Sequence, residues 1–223
     1  MILELLRHLV NECGIEQSNI AIGDNQNPIW GHNYDAWFAE FPNVIYTDCM
    51  FGTFGRTLVK PTENDLQFYS DKRQKDKLYD VIEKADYLIS LPNLKPHRGA
   101  GITLGTKNHF GSQARPRADH LHYAHPGNSK GYGKYRVLVD IMGNKYLGQN
   151  TFLTIVDGLW GGGSGEVGAP VKYFMAPFNN NWCNSIFISQ DMVALESVCY
   201  DFLRTEWNGI NSHDPINNKI ETN

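Results

Sequence analysis

Lys95 and His97 flank Pro96, so an ammonium and an imidazole two positions apart on an extended chain point to the same side of the backbone. Further on, Lys107 and Asn108 lie in a run framed by Gly99, Gly101, Gly105 and Gly111, where the main chain can approach a ligand closely. Two ammonium groups, a carboxamide and an imidazole that titrates near neutral pH are equipped to hold a carboxylate or phosphate and to move a proton on it. The structural alternative is that Lys95 and Lys107 pair with aspartates at strand ends. Gly101 to Lys107 reads GITLGTK, one residue short of a Walker loop and without its hydroxyl after Lys, and no GxGxxG fingerprint is present.

The charge distribution supports an anion. Between Lys95 and Arg136 stand eight Lys or Arg and a single carboxylate, Asp119, a net +7 inside a chain of −4 that leaves −11 for everything else. Such a reversal marks a local site more than a generally basic surface. The same segment holds five of the eight His. Of these, His120, His122 and His125 offer imidazoles suited to zinc, iron or nickel, although Arg115 and Arg117 oppose a cation, and Pro116, Pro126, Gly127 and Gly131 read as a loop. A polar flap and an anion lid remain the other readings of this stretch. Tyr123, Tyr132 and Tyr135 among the charges would suit single-stranded nucleic acid. The acidic balance, pI about 6.0, and the lack of any nucleic-acid motif argue against that partner.

These residues need a scaffold, and the chain alternates helix and strand. Apolar runs at Ile20–Ile22 and Val44–Tyr46 each end near an aspartate, Asp24 and Asp48. A helix is expected from about Asp71 to Ala85, with Leu78, Val81 and Ile82 on its apolar face, then a strand over Tyr87–Leu91. A helix over Tyr135–Leu147, a strand Phe152–Val156 ending at Asp157 and Gly158, a glycine-laden stretch, a strand Ile186–Ser189, and a helix from Asp191 through Trp207 complete the series. The expectation is one α/β domain over residues 1–223, a mostly parallel sheet flanked by helices with a basic, His-rich loop insertion at 95–136. In such a sheet the groups after strand ends share one rim, which nominates Asp24, Asp48, Lys95, Asp157 and Asp191. An Asp in that position is also an ordinary turn former or helix cap, above all Asp191, where a helix follows at once.

No run approaches the roughly 20 apolar residues of a membrane helix. Cys13, Cys49, Cys183 and Cys199 are scattered without a CxxC pair, and their pairing is left open. The helix over Met1–Val10 begins with no strand or cap before it, and the expectation is of a preceding strand, or an export signal as well, left out of this sequence. Localisation is left open between the cytoplasm and, if a signal has been removed, the periplasm.

The run Ala85-Asp86-Tyr87-Leu88-Ile89-Ser90-Leu91-Pro92-Asn93-Leu94-Lys95-Pro96-His97, followed by Gly101-Ile102-Thr103-Leu104-Gly105-Thr106-Lys107-Asn108-His109-Phe110-Gly111, resembles domain-of-unknown-function family 362, of bacteria and archaea. Thr154-Ile155-Val156-Asp157-Gly158 and Ser189-Gln190-Asp191-Met192-Val193-Ala194-Leu195-Glu196 match later hallmarks, and the likeness spans about Ala85 to Leu203. Pro96 departs from the commoner Thr or Ser, removing a hydroxyl and an N–H from the site. Some relatives carry an export signal and some a ferredoxin module, which implies a redox-accessory role as one possibility.

The combined expectation is an α/β protein that binds a small anionic ligand, with His97, Lys107 and Asp157 as catalytic groups. Lys95, Asn108, Thr103, His109, Gly158 and Asp191 are the binding groups. A non-catalytic binding protein and a metal-dependent enzyme using the His cluster stand as alternatives, with reaction type, cofactor and oligomeric state left open.

Overall fold

The computed structural model describes residues 1–50, 52, 54–67, 75–97, 101–115, 118, 121, 137–163 and 169–206. They divide into two compact units, one comprising Met1–Leu66, Asp76–Lys84 and Gly111–Arg117, the other Gln67–Lys75, Ala85–Phe110 and Ala118–Asn223.

In the first unit, α1 (Ile2–Arg7) tucks Leu6 inward and runs on through one π turn, His8–Glu12. β1 (Ala21–Ile22) and β2 (Ile45–Tyr46) pair in parallel, and α2 (Gly31–Glu40) makes the crossover that parallel strands require. Trp37, Phe41, Val44 and Tyr46 close over Leu6 to form the core. β3 (Pro61–Gln67) pairs with β4 (Lys75–Tyr79), and the short α3 (Asp80–Glu83) follows. The helix expected from Asp71 to Ala85 is thus confined to its last turn among the described residues. Leu78 lies on a strand, bridged to Gln113, because cross-strand partners outside the local window override helical periodicity.

The second unit is built on β5 (Leu88–Ser90), β8 (Thr151–Gly158) and β11 (Ser185–Ser189), in the spatial order β11-β8-β5. Between β5 and β8 lie the hairpin β6 (Lys95–His97) and β7 (Gly101–Thr103), then α4 (Gly105–Asn108) and α5 (Val137–Gly143). Short strands β9 (Gly161–Gly162) and β10 (Pro170–Val171) pair between β8 and β11, and α6 (Met192–Glu206) closes the unit. Leu94, Leu104, Val156, Tyr173, Cys183, Leu195, Cys199 and Leu203 make its core.

The fold is mixed helix and strand, but the sheets are small and mostly not parallel. Among the described strands β1 with β2 and β5 with β8 run in parallel, and β6 with β7, β9 with β10 and β8 with β11 are antiparallel. The departure from the expected parallel sheet has a local cause. Among the described residues no helix lies between β8 and β11, and without a crossover the next strand returns antiparallel. Part of the expected loop insertion is ordered as the β6–β7 hairpin and α4, whereas His120, His122 and His125 lie outside the described residues.

Candidate functional site

The hairpin sets the geometry. Lys95 stands opposite Thr103, Pro96 opposite Ile102 and His97 opposite Gly101, so Lys95, His97 and Thr103 share one face while Ile102 packs against the core from the other. Its root is held by backbone. Leu94 N–H donates to the Asp157 carbonyl at 2.8 Å, Asp157 N–H to the Pro92 carbonyl at 2.8 Å, and Gly162 N–H to the Leu94 carbonyl at 2.9 Å. Gly162 lies so close to the Lys95 side-chain root that any Cβ there would collide with it. His97 is buried and Lys95 half-buried. The Thr103 hydroxyl is buried with no hydrogen-bond partner.

α4 follows at once. Gly105 brings the chain against Met192 and Thr154, where a Cβ would stand 2.8 Å from Met192 Cγ and 3.1 Å from Thr154 Cγ2. Thr106 N–H donates to Glu196 Oε1 at 2.6 Å, and its hydroxyl lies 3.2 Å from the Met142 sulfur and 3.4 Å from that of Met192. Lys107 sets its ammonium 4.2 Å from the centre of the Phe110 ring. Asn108 is exposed and donates to Ser90 Oγ at 3.1 Å.

His109 is buried, its Nε2 3.0 Å from Thr151 Oγ1. The Thr151 hydroxyl donates its only hydrogen to the Leu147 carbonyl at 2.9 Å, so Nε2 must be the donor to Thr151. Burial pushes the His109 pKa down to about 4, which keeps the ring neutral.

The strand-end aspartates engage their own turns. Asp157 Oδ1 accepts from Leu159 N–H at 3.1 Å, and Asp191 Oδ1 caps α6 through Ala194 N–H at 2.9 Å. In the first unit Asp24 Oδ1 takes Gln26 N–H at 2.9 Å, and Asp48 binds Phe54 and Arg56 N–H. Because β11 pairs Ile186 with Asp157 and Ser189 with Thr154, its antiparallel course carries Asp191 toward the opposite end of β8 from Asp157. The expectation of one shared rim fails for Asp191 on that account. Lys95 and Asp157, by contrast, belong to neighbouring chain segments, with Asn93 bridged in parallel to Asp157.

One family match, covering residues 2–201, takes in nearly all of the first unit and much of the second. The chain belongs to the family described as Domain of unknown function (DUF362). No curated protein and no solved structure matches it. The match begins far ahead of Ala85, where the resemblance read from the sequence begins, so the first unit is part of the family pattern.

Within this DUF362 chain, no group of three His, Cys, Asp or Glu gathers as a metal cradle among the described residues. All four cysteines are free thiols, and burial pushes Cys183 and Cys199 up to about 12, so both stay protonated at neutral pH. No helix among the described residues is long and apolar enough to cross a membrane. Sequence reasoning passed over Glu196, Glu206, Gly162 and Ser90 as working groups. A signal existed for the two glutamates: both fall on the α6 face marked by buried Met192, Leu195, Cys199 and Leu203, where a carboxylate needs a donor. Burial raises the Glu196 pKa, against the lowering effect of its bonds from Thr106.

Proposed function

We propose that this DUF362 protein binds a small carboxylate or phosphate on the Lys95–His97–Thr103 face of its hairpin. The observation that carries the reading is the Thr103 hydroxyl, buried without a partner directly opposite Lys95. A buried hydroxyl left unmatched costs about 1 to 3 kcal/mol, and a ligand oxygen beside a lysine removes that cost. In this reading Lys95 supplies charge and Thr103 a hydrogen bond, with Lys107 and Asn108 reaching the ligand from α4. His97, beside them on the hairpin, serves as general acid or base if the protein is an enzyme, and Asp157 orients the hairpin root through its backbone bonds.

Calorimetric titration with phosphate, sulfate and citrate tests it. Thr103→Val removes the hydroxyl and keeps the shape, so affinity is expected to fall about tenfold while thermal stability holds or rises. Lys95→Met is expected to abolish binding. Unchanged affinity in Thr103→Val, with the fold intact, would overturn the proposal. His97→Asn separates enzyme from binding module: a catalytic role requires binding to persist while turnover stops.

A further inference from the structure

The first unit contains a cation whose surroundings ask for a second ligand. Arg56 is half-buried, and its Nε and Nη1 are shielded from solvent without a hydrogen-bond partner. Among the described residues no carboxylate pairs with its side chain. Two N–H donors withdrawn from water and left without an acceptor are costly. Its position is nonetheless fixed. Asp48, fully buried, accepts Phe54 N–H on Oδ1 at 3.0 Å and Arg56 N–H on Oδ2 at 3.1 Å, so a buried carboxylate shapes the loop that presents both residues. That carboxylate is occupied by main-chain amides.

The guanidinium lies over Tyr34, 4.1 Å from the ring centre, with the Phe54 ring at 5.6 Å. Tyr34 is the middle member of a stripe, since Trp30, Tyr34 and Phe38 recur every four residues at the start of and along α2. Tyr34 and Phe38 stack at 5.3 Å, and Tyr46 meets Tyr34 edge-on at 5.3 Å. Trp30, Phe38 and Phe54 are 63%, 43% and 53% exposed. One face of the guanidinium is therefore occupied by Tyr34, with the exposed Phe54 ring beside it.

We propose that Arg56 is the anchor of a second site, one that takes a small organic oxyanion with a flat apolar body. In-plane donors suit a carboxylate or phosphate, and the exposed Phe54 ring beside them suits an aromatic or similarly flat group. Nη2 is not among the shielded atoms and is the point at which an oxygen first engages. This site is independent of the hairpin reading.

The test uses the whole ¹⁵N-labelled chain, following the Arg56 Nε–H resonance during titration with benzoate, phenyl phosphate and inorganic phosphate, with sodium chloride at matched ionic strength. Expected are saturable shifts for benzoate or phenyl phosphate with Kd on the order of 1 mM, and at least about tenfold weaker binding of inorganic phosphate. Which of the two aromatic probes binds tighter distinguishes carboxylate from phosphate. Arg56→Met is expected to abolish the shifts of the Phe54 amide and Tyr34 ring. Phe54→Ala, a change at an exposed ring that leaves folding intact, should weaken binding roughly threefold. Absence of saturable shifts, equal response to chloride, or wild-type binding by both Arg56→Met and Phe54→Ala would overturn the proposal.

Discussion

Asp48 in the first unit and Glu206 in the second are each buried almost completely and hold two backbone amides, yet the two do different work. Asp48 grips Phe54 and Arg56, six and eight residues away. Glu206, at the end of α6 and 1% exposed, grips Phe174 and Met175 N–H at 2.9 Å each, across 32 and 31 residues. The first shapes a loop, whereas the second ties the last helix to a distant segment of its unit. Glu206 sits on the helix that carries core residues Leu195, Cys199 and Leu203, whereas Asp48 arranges a loop, so the two clamps should differ in their contribution to stability even though their bonds are alike. Asp48 and Glu206 hold main-chain amides, whereas the two proposed ligand sites are built on a hydroxyl and a guanidinium.

The largest expected effect sharpens that contrast. Glu206→Ala leaves two amides without an acceptor and loosens the helix end beside core residue Leu203, costing about 3 to 5 kcal/mol in urea unfolding. Asp48→Ala should cost less, about 2 kcal/mol, because a freed short loop lets its amides reach water. Equal losses in the two variants would break the distinction between loop-shaper and tie.

His109 extends the comparison to a buried base. Its folded pKa of about 4 lies below the ordinary 6.5, so the unfolded chain takes up the proton first as pH falls. The contribution is complete above about pH 6.5 and is lost progressively toward pH 4, a change of about 3 kcal/mol. Urea midpoints between pH 7 and 4 should show this slope in the wild type and a flatter one in His109→Gln; identical slopes would mean that another group sets the acid limb.

The smallest effect concerns Glu196, whose pH dependence has the opposite sign. With its pKa raised by burial, its favourable contribution is present at low pH and is lost as pH rises through the folded value. Glu196→Gln keeps an acceptor for Thr106 N–H and removes the buried charge, so at pH 7 stability should hold or rise by up to about 1 kcal/mol, with the gain vanishing near pH 4. A loss at pH 7 would show that the ionised carboxylate is needed to fix α4.

Much of this architecture was legible in the chain. The strands at Leu88–Ser90, Thr151–Gly158 and Ser185–Ser189, the capping role of Asp191 and the family blocks rest on short-range periodicity, caps and residue order, which local physics decides. The pairing of Lys95 and His97 on one face follows from strand alternation alone. The antiparallel return of β11, the strand at Lys75–Tyr79, the neutrality of His109 and the seating of Arg56 over Tyr34 did not follow from it. Each depends on a partner from another part of the chain, and desolvation and pairing exist only once the chain has brought those partners together.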